Sequence, residues 1–178
     1  MINGKMRLKA LVLAVVLMSV AGGAWAQAGA AEKPCAAPEN AQFDFWVGDW
    51  NVASPDGKKQ GSNRVVKILG GCVIQENWAG VGGSIGHSYN LFSKARGVWH
   101  QTWVDNGGSL LLLDGGLEEG RMVLRGETPA RDGKGTVLHE ISWTPMDTGQ
   151  VRQHWRMSRD GGGEWQDAFV GIYTRKKD

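Results

Sequence analysis

Turn signals recur along this chain about every dozen residues, and that spacing leaves no room for a sustained helix. Ser54-Pro55-Asp56-Gly57, Gly70-Gly71, Gly80-Val81-Gly82-Gly83, Asn106-Gly107-Gly108, Asp147-Thr148-Gly149 and Asp160-Gly161-Gly162-Gly163 are the clearest. Between them lie short runs rich in Trp, Val and Thr, the residue types that suit a pleated, half-buried surface. The spacing predicts ten strands. They run Phe43 to Val52, Gly61 to Leu69, Cys72 to Ala79, Ile85 to Ser93, Val98 to Asp105, Ser109 to Asp114, Arg121 to Glu127, Thr136 to Thr144, Gln150 to Ser158 and Glu164 to Arg175. Strands joined by hairpin-length loops form an up-and-down antiparallel sheet. So many strands need closure or a second layer to protect their edges. The expected fold is all-β, an antiparallel barrel of about ten strands, with a two-sheet β-sandwich as the alternative.

The N-terminus has a different character. Lys5, Arg7 and Lys9 precede an apolar run from Ala10 to Ala21, which is short for a bilayer span. Ala24-Trp25-Ala26 places small residues where a signal peptidase reads them. Residues 1–26 are therefore expected to be a signal peptide, 27–42 a flexible lead-in and 43–178 a single barrel domain, in an exported protein of the periplasm or medium. No membrane span is expected after cleavage. Without the leader, 17 basic residues face 18 acidic ones, for a net charge of −1. That balance, with no basic stripe, argues against a nucleic-acid partner. In an oxidising compartment the pair Cys35 and Cys72 is expected to form a disulfide.

Chemistry enters through a repeated strand signature. Gly97-x-x-x-Gln101-x-Trp103 recurs as Gly149-x-x-x-Gln153-x-Trp155, 52 residues later, and Glu76-x-Trp78 is a looser copy. At a spacing of two, each polar residue shares a sheet face with its tryptophan. Ser88 and Asn90 share one face of the fourth strand. If the tryptophans point inward, Glu76, Trp78, Ser88, Asn90, Gln101, Trp103, Gln153 and Trp155 line a polar and aromatic pocket. The bland alternative is tryptophan packing with amides bonded across strands. His100 and His154 adjoin Gln101 and Gln153, so they should face the other way, as solvent-facing or satisfied histidines. An inverted register would exchange the two sets. No nucleophile elbow, zincin helix, P-loop or dinucleotide fingerprint is present, and the histidines lack metal-ligand spacing. No metal is expected.

Gly48-Asp49-Trp50 resembles the G-x-W signature of the calycins, the lipocalins, fatty-acid-binding proteins and their relatives. The resemblance implies that Trp50 plugs one barrel end with Gly48, under a basic residue of the last strand, for which Arg175 is the match. Trp46 would share the face of Trp50 and reach the cavity wall. Phe43 to Trp50, Gly71 to Trp78 and Trp99 to Trp103 are also similar to a group of exported bacterial proteins opening with an FDFWxGxW-type run. That likeness implies the same barrel without an established activity. Haem-binding calycins carry further glycines after the G-x-W and a histidine near the chain end. Here both are missing, and no cofactor is expected.

These features suggest a binding barrel for a small, partly apolar ligand, lipidic or aromatic. An enzyme, hydrolase or isomerase, using Glu76 is the alternative, and an envelope interaction module a third reading. The leader reading predicts that N-terminal sequencing of the exported protein starts at Gln27, with cleavage after Ala30 as the second possibility.

Overall fold

The computed structural model describes Met1 and residues 34–177; the rest of the expected leader and residues 27–33 lie outside the described residues. Ten antiparallel strands close into one barrel in simple up-and-down order. They are β1 (Gly48–Ala53), β2 (Lys59–Ile68), β3 (Val73–Gly80), β4 (Ile85–Ser93), β5 (Val98–Asp105), β6 (Leu110–Glu118), β7 (Arg121–Pro129), β8 (Thr136–Pro145), β9 (Val151–Ser158) and β10 (Gln166–Arg175). The pairing of β1 with β10, Trp50 opposite Arg175 and Val52 opposite Tyr173, closes the sheet. The sandwich alternative is thereby excluded.

Side chains alternate between lumen and solvent as a period of two demands. Outward residues form charge ladders on one side, where Arg125 bridges Glu118 and Glu140, and Glu140 also holds Arg156. His100 bonds Asp114 at 2.8 Å and His154 bonds Asp167 at 2.6 Å on the same outer surface. The inverted register is therefore not the one adopted.

One end of the barrel is sealed by the chain that enters it. The run from Phe43 to Trp46, expected as strand, is instead a tight turn, with a 3-10 segment at Asp44–Trp46. An extended run would send Phe45 and Trp46 to opposite faces, one of them into water. In a 3-10 turn residues three apart eclipse each other, and Phe43 and Trp46 stack with centroids 4.9 Å apart. Both are fully buried, against Trp143 at 5.1 and 5.2 Å. Trp46 is thus part of the seal at the closed end, not of a strand face shared with Trp50. Its carbonyl accepts the Trp50 indole N–H at 2.9 Å.

The Arg175 guanidinium lies 4.4 Å from the Trp50 ring centroid. Gly48 makes this possible: its φ is +155°, and a Cβ there would overlap Arg175 Nη1. The second half of the expected flexible lead-in is also built into this end. Pro38–Ala41 forms a 3-10 turn, Gln42 Oε1 accepts the Trp99 indole N–H at 3.0 Å, and Cys35 is bonded to Cys72 just before β3.

Gly48→Ala should destabilise the fold by about 1–3 kcal/mol through the left-handed backbone and the displaced guanidinium; urea unfolding measures this. Breaking the disulfide, which spans 37 residues, should remove up to about 4 kcal/mol on the loop-entropy estimate. Unfolding with and without reductant checks it.

Candidate functional site

The three copies of the polar-x-Trp signature lie on β3, β5 and β9. All odd-numbered strands run from the closed end toward the opposite mouth. In each copy the polar residue therefore sits deeper and its tryptophan two residues nearer the mouth. Glu76, Gln101 and Gln153 are buried, while Trp78, Trp103 and Trp155 are half-buried. All eight residues expected in a pocket face inward, but they form two tiers.

The deep tier is a continuous hydrogen-bonded belt. Asn63 Nδ2 donates to Glu76 Oε1 at 2.6 Å, and Ser88 Oγ donates to Glu76 Oε2 at 2.7 Å. Asn90 Nδ2 donates to Ser88 Oγ at 2.9 Å, and Gln101 Nε2 to Asn90 Oδ1 at 2.7 Å. On the other side, Tyr173 OH accepts weakly from Asn63 at 3.5 Å and donates to Gln153 Oε1. The belt spans β9, β10, β2, β3, β4 and β5. The facing arc, from β6 to β8, is apolar: Leu111, Leu113, Met122, Leu124 and Ile141. Among the described residues no cation neutralises Glu76. Burial pushes its carboxyl up to about 7, against the hydrogen bonds from Ser88 and Asn63. Burial also raises the Tyr173 phenol well above its usual range, with the Glu76 charge adding to it. Asn63 Oδ1 is buried without a hydrogen-bond partner.

The upper tier is the mouth. Trp78 and Phe169 meet edge to face at 5.9 Å. Trp78, Trp103 and Phe169 each lie against a glycine of the wall. A Cβ on Gly61 would come within 2.8 Å of Trp78 Cη2, one on Gly86 would collide with the Trp103 ring, and one on Gly171 would lie 2.6 Å from Phe169 Cε1. Missing side chains on the wall thus give the rings their places, and the rings cover backbone that glycine leaves bare. Trp155 donates its indole N–H to His139 Nδ1 at 3.1 Å, and His139 Nε2 pairs with Thr128 Oγ1 at 2.9 Å. Because Nδ1 accepts, the neutral ring carries its proton on Nε2. Burial first, then the nearby Arg159 charge, lowers the His139 pKa.

Sequence reasoning missed Asn63, Tyr173, His139 and Phe169. The signal was the same alternation: Asn63 lies between Gly61 and Val65, and Tyr173 lies two before Arg175. His139 is two before Ile141 and four before Trp143. All lie on inward positions of their strands. At the rim, a hollow of about 320 Å³ opens between the Ala130–Gly135 turn and Arg159. No group of three or more His, Cys, Asp or Glu side chains placed to hold a metal ion occurs among the described residues. The chain matches no protein-family model and no curated protein.

The raised Glu76 pKa makes stability depend on pH with a defined sign. Between its ordinary value of 4.5 and about 7 the folded state holds a proton that the unfolded state releases. Stability should therefore fall as pH rises across that window, by about 3 kcal/mol in total for this group. Glu76→Gln should remove this part of the slope and leave the variant as stable as the parent, or more stable, at pH 8. Urea unfolding at a series of pH values tests both expectations.

Proposed function

We propose that this protein is an exported binding barrel for a small, partly apolar ligand, taken up at the mouth. The observation that carries this reading is the two-tier interior. Four half-buried aromatics, Trp78, Trp103, Trp155 and Phe169, surround the mouth directly above a polar floor centred on Glu76. A barrel that only needed filling would do so more stably with aliphatic side chains, since buried polar groups merely recover what desolvation takes from them. Aromatic walls supply contact area with little entropy to lose, and the belt supplies oriented donors and acceptors. The apolar arc from β6 to β8 suits the apolar part of the ligand. The Cys35–Cys72 bond supports an oxidising compartment. Kinship with calycins and with the exported FDFWxGxW-type proteins is part of the same proposal, as is the absence of a resident cofactor.

A second reading, an enzyme using Glu76 as general acid or base, is favoured by one observation. A carboxyl with a pKa of about 7 is poised for proton transfer near neutral pH. In that reading Ser88 and Asn63 orient the two carboxyl oxygens, and the substrate enters past Trp78.

Titration with an uncharged apolar fluorophore, phenylnaphthylamine, while following tryptophan emission tests the binding reading. Saturable binding is expected, weakened about tenfold, or about 1.4 kcal/mol, by Trp103→Ala or Trp78→Ala. Arg121→Gln, at the closed end, should leave it unchanged. No saturable change with the probe, or equal affinities in all variants, would sink this reading.

A further inference from the structure

The rim hollow has a charge character of its own. Its lining includes Arg131, Lys134 and Arg159, with Thr136 and Val137. Val137 shares the inner face of β8 with His139, Ile141 and Trp143, and the hollow lies at the mouth end of that strand. None of the three cations takes part in an ion pair among the described residues, in contrast to Arg96, Arg125 and Arg156 on the outer wall. The lining contains one carboxylate, Asp132, and its Oδ1 is occupied by the Lys134 backbone N–H at 2.9 Å. On the far side of Arg159 lies a second, smaller hollow with Asp160 and Glu164. Asp160 is engaged there, accepting from the Glu164 N–H at 2.9 Å and from Ser158 Oγ at 2.6 Å.

Arg159 also links the rim to the mouth. Its charge is felt by His139, whose ring is bonded to Trp155. A concave site with three cations against one carboxylate, at the same end of the barrel as the aromatic mouth, is complementary to one kind of molecule: an amphiphile with an anionic end.

We propose that the hollow formed by Arg131, Lys134 and Arg159 receives the anionic group of an amphipathic ligand whose apolar body lies on the mouth aromatics. This rests on the binding-barrel reading and narrows its ligand to soluble amphipathic anions, carboxylates or sulfonates. Asp132 limits the site to a modest anion, because a second negative charge would face its carboxylate.

A matched pair of probes separates the two levels. Anilinonaphthalenesulfonate and its uncharged parent, phenylnaphthylamine, share the same apolar rings. The anion is expected to bind about tenfold more tightly at low salt, with the preference fading as sodium chloride is raised. Arg159→Gln, and the double change Arg131→Gln with Lys134→Gln, should bring the two affinities together while leaving the neutral probe unchanged. Arg121→Gln, a control at the closed end, should keep the preference. Far-ultraviolet circular dichroism and thermal unfolding confirm that each variant is folded. Equal binding of both probes to the parent protein, or a preference insensitive to salt and to the rim variants, would overturn the anion site and leave the barrel reading standing. Parallel loss of both probes in the rim variants would also overturn it. Binding of neither probe to the parent protein would overturn both.

Discussion

The pairing of β1 with β10 is the constraint from which the rest of this structure follows. Once Val52 lies opposite Tyr173 and Trp50 opposite Arg175, every strand has two neighbours and no edge is left open. Closure has a consequence an open sheet does not face: it defines an interior of set girth, with two ends. The chain deals with one end by coiling Phe43 and Trp46 beneath the first strand and tying the lead-in to Cys72. The Trp50–Arg175 stack then joins the first strand to the last at the same end. The other end is left to rings that lie along the wall, seated on glycines.

The interior is divided by sector as well as by depth. From β9 round to β5, with β1 and its Val52 the exception, the mid-height positions are polar and bonded to one another; from β6 to β8 they are aliphatic. Glu76 is the member of the belt whose charge matters most. Two donors, Asn63 and Ser88, reach its two oxygens, yet burial outweighs them and keeps its pKa near 7. A neutral carboxylic acid there can donate as well as accept, and Asn63 Oδ1, which has no partner, is one acceptor beside it. The belt is thus a polar floor that gains or releases a proton near neutrality. The three rim cations lie above it at the opposite end from the seal.

Much of the fold was legible from turn chemistry. All ten strands exist, and β4 and β5 have the boundaries expected of them. The misses have physical causes. The sixth strand is expected to stop at Asp114, just before Gly115-Gly116, but it runs on to Glu118. Here Gly115 instead lets the Val123 carbonyl of the neighbouring strand come close, as Gly126 does for the Leu112 carbonyl. A glycine needed for close approach looks the same in sequence as one needed for a turn. The run from Phe43 to Trp46, expected as strand, is dense in aromatic residues. Density does not distinguish a strand face from a plug made of a stacked pair.

The order of residues by itself determined which side chains travel together. The two-residue period placed Glu76 with Trp78, Gln101 with Trp103 and Gln153 with Trp155, and set His100 and His154 apart from them. It could not determine which of the two faces is inside, because alternation is symmetric until closure gives the sheet a concave side. Nor could it bring Asn63 to Tyr173, 110 positions away, or place His139 beside Trp155. Those contacts depend on which strands become neighbours around the ring and on the stagger between them. Both are settled only when the last strand finds the first.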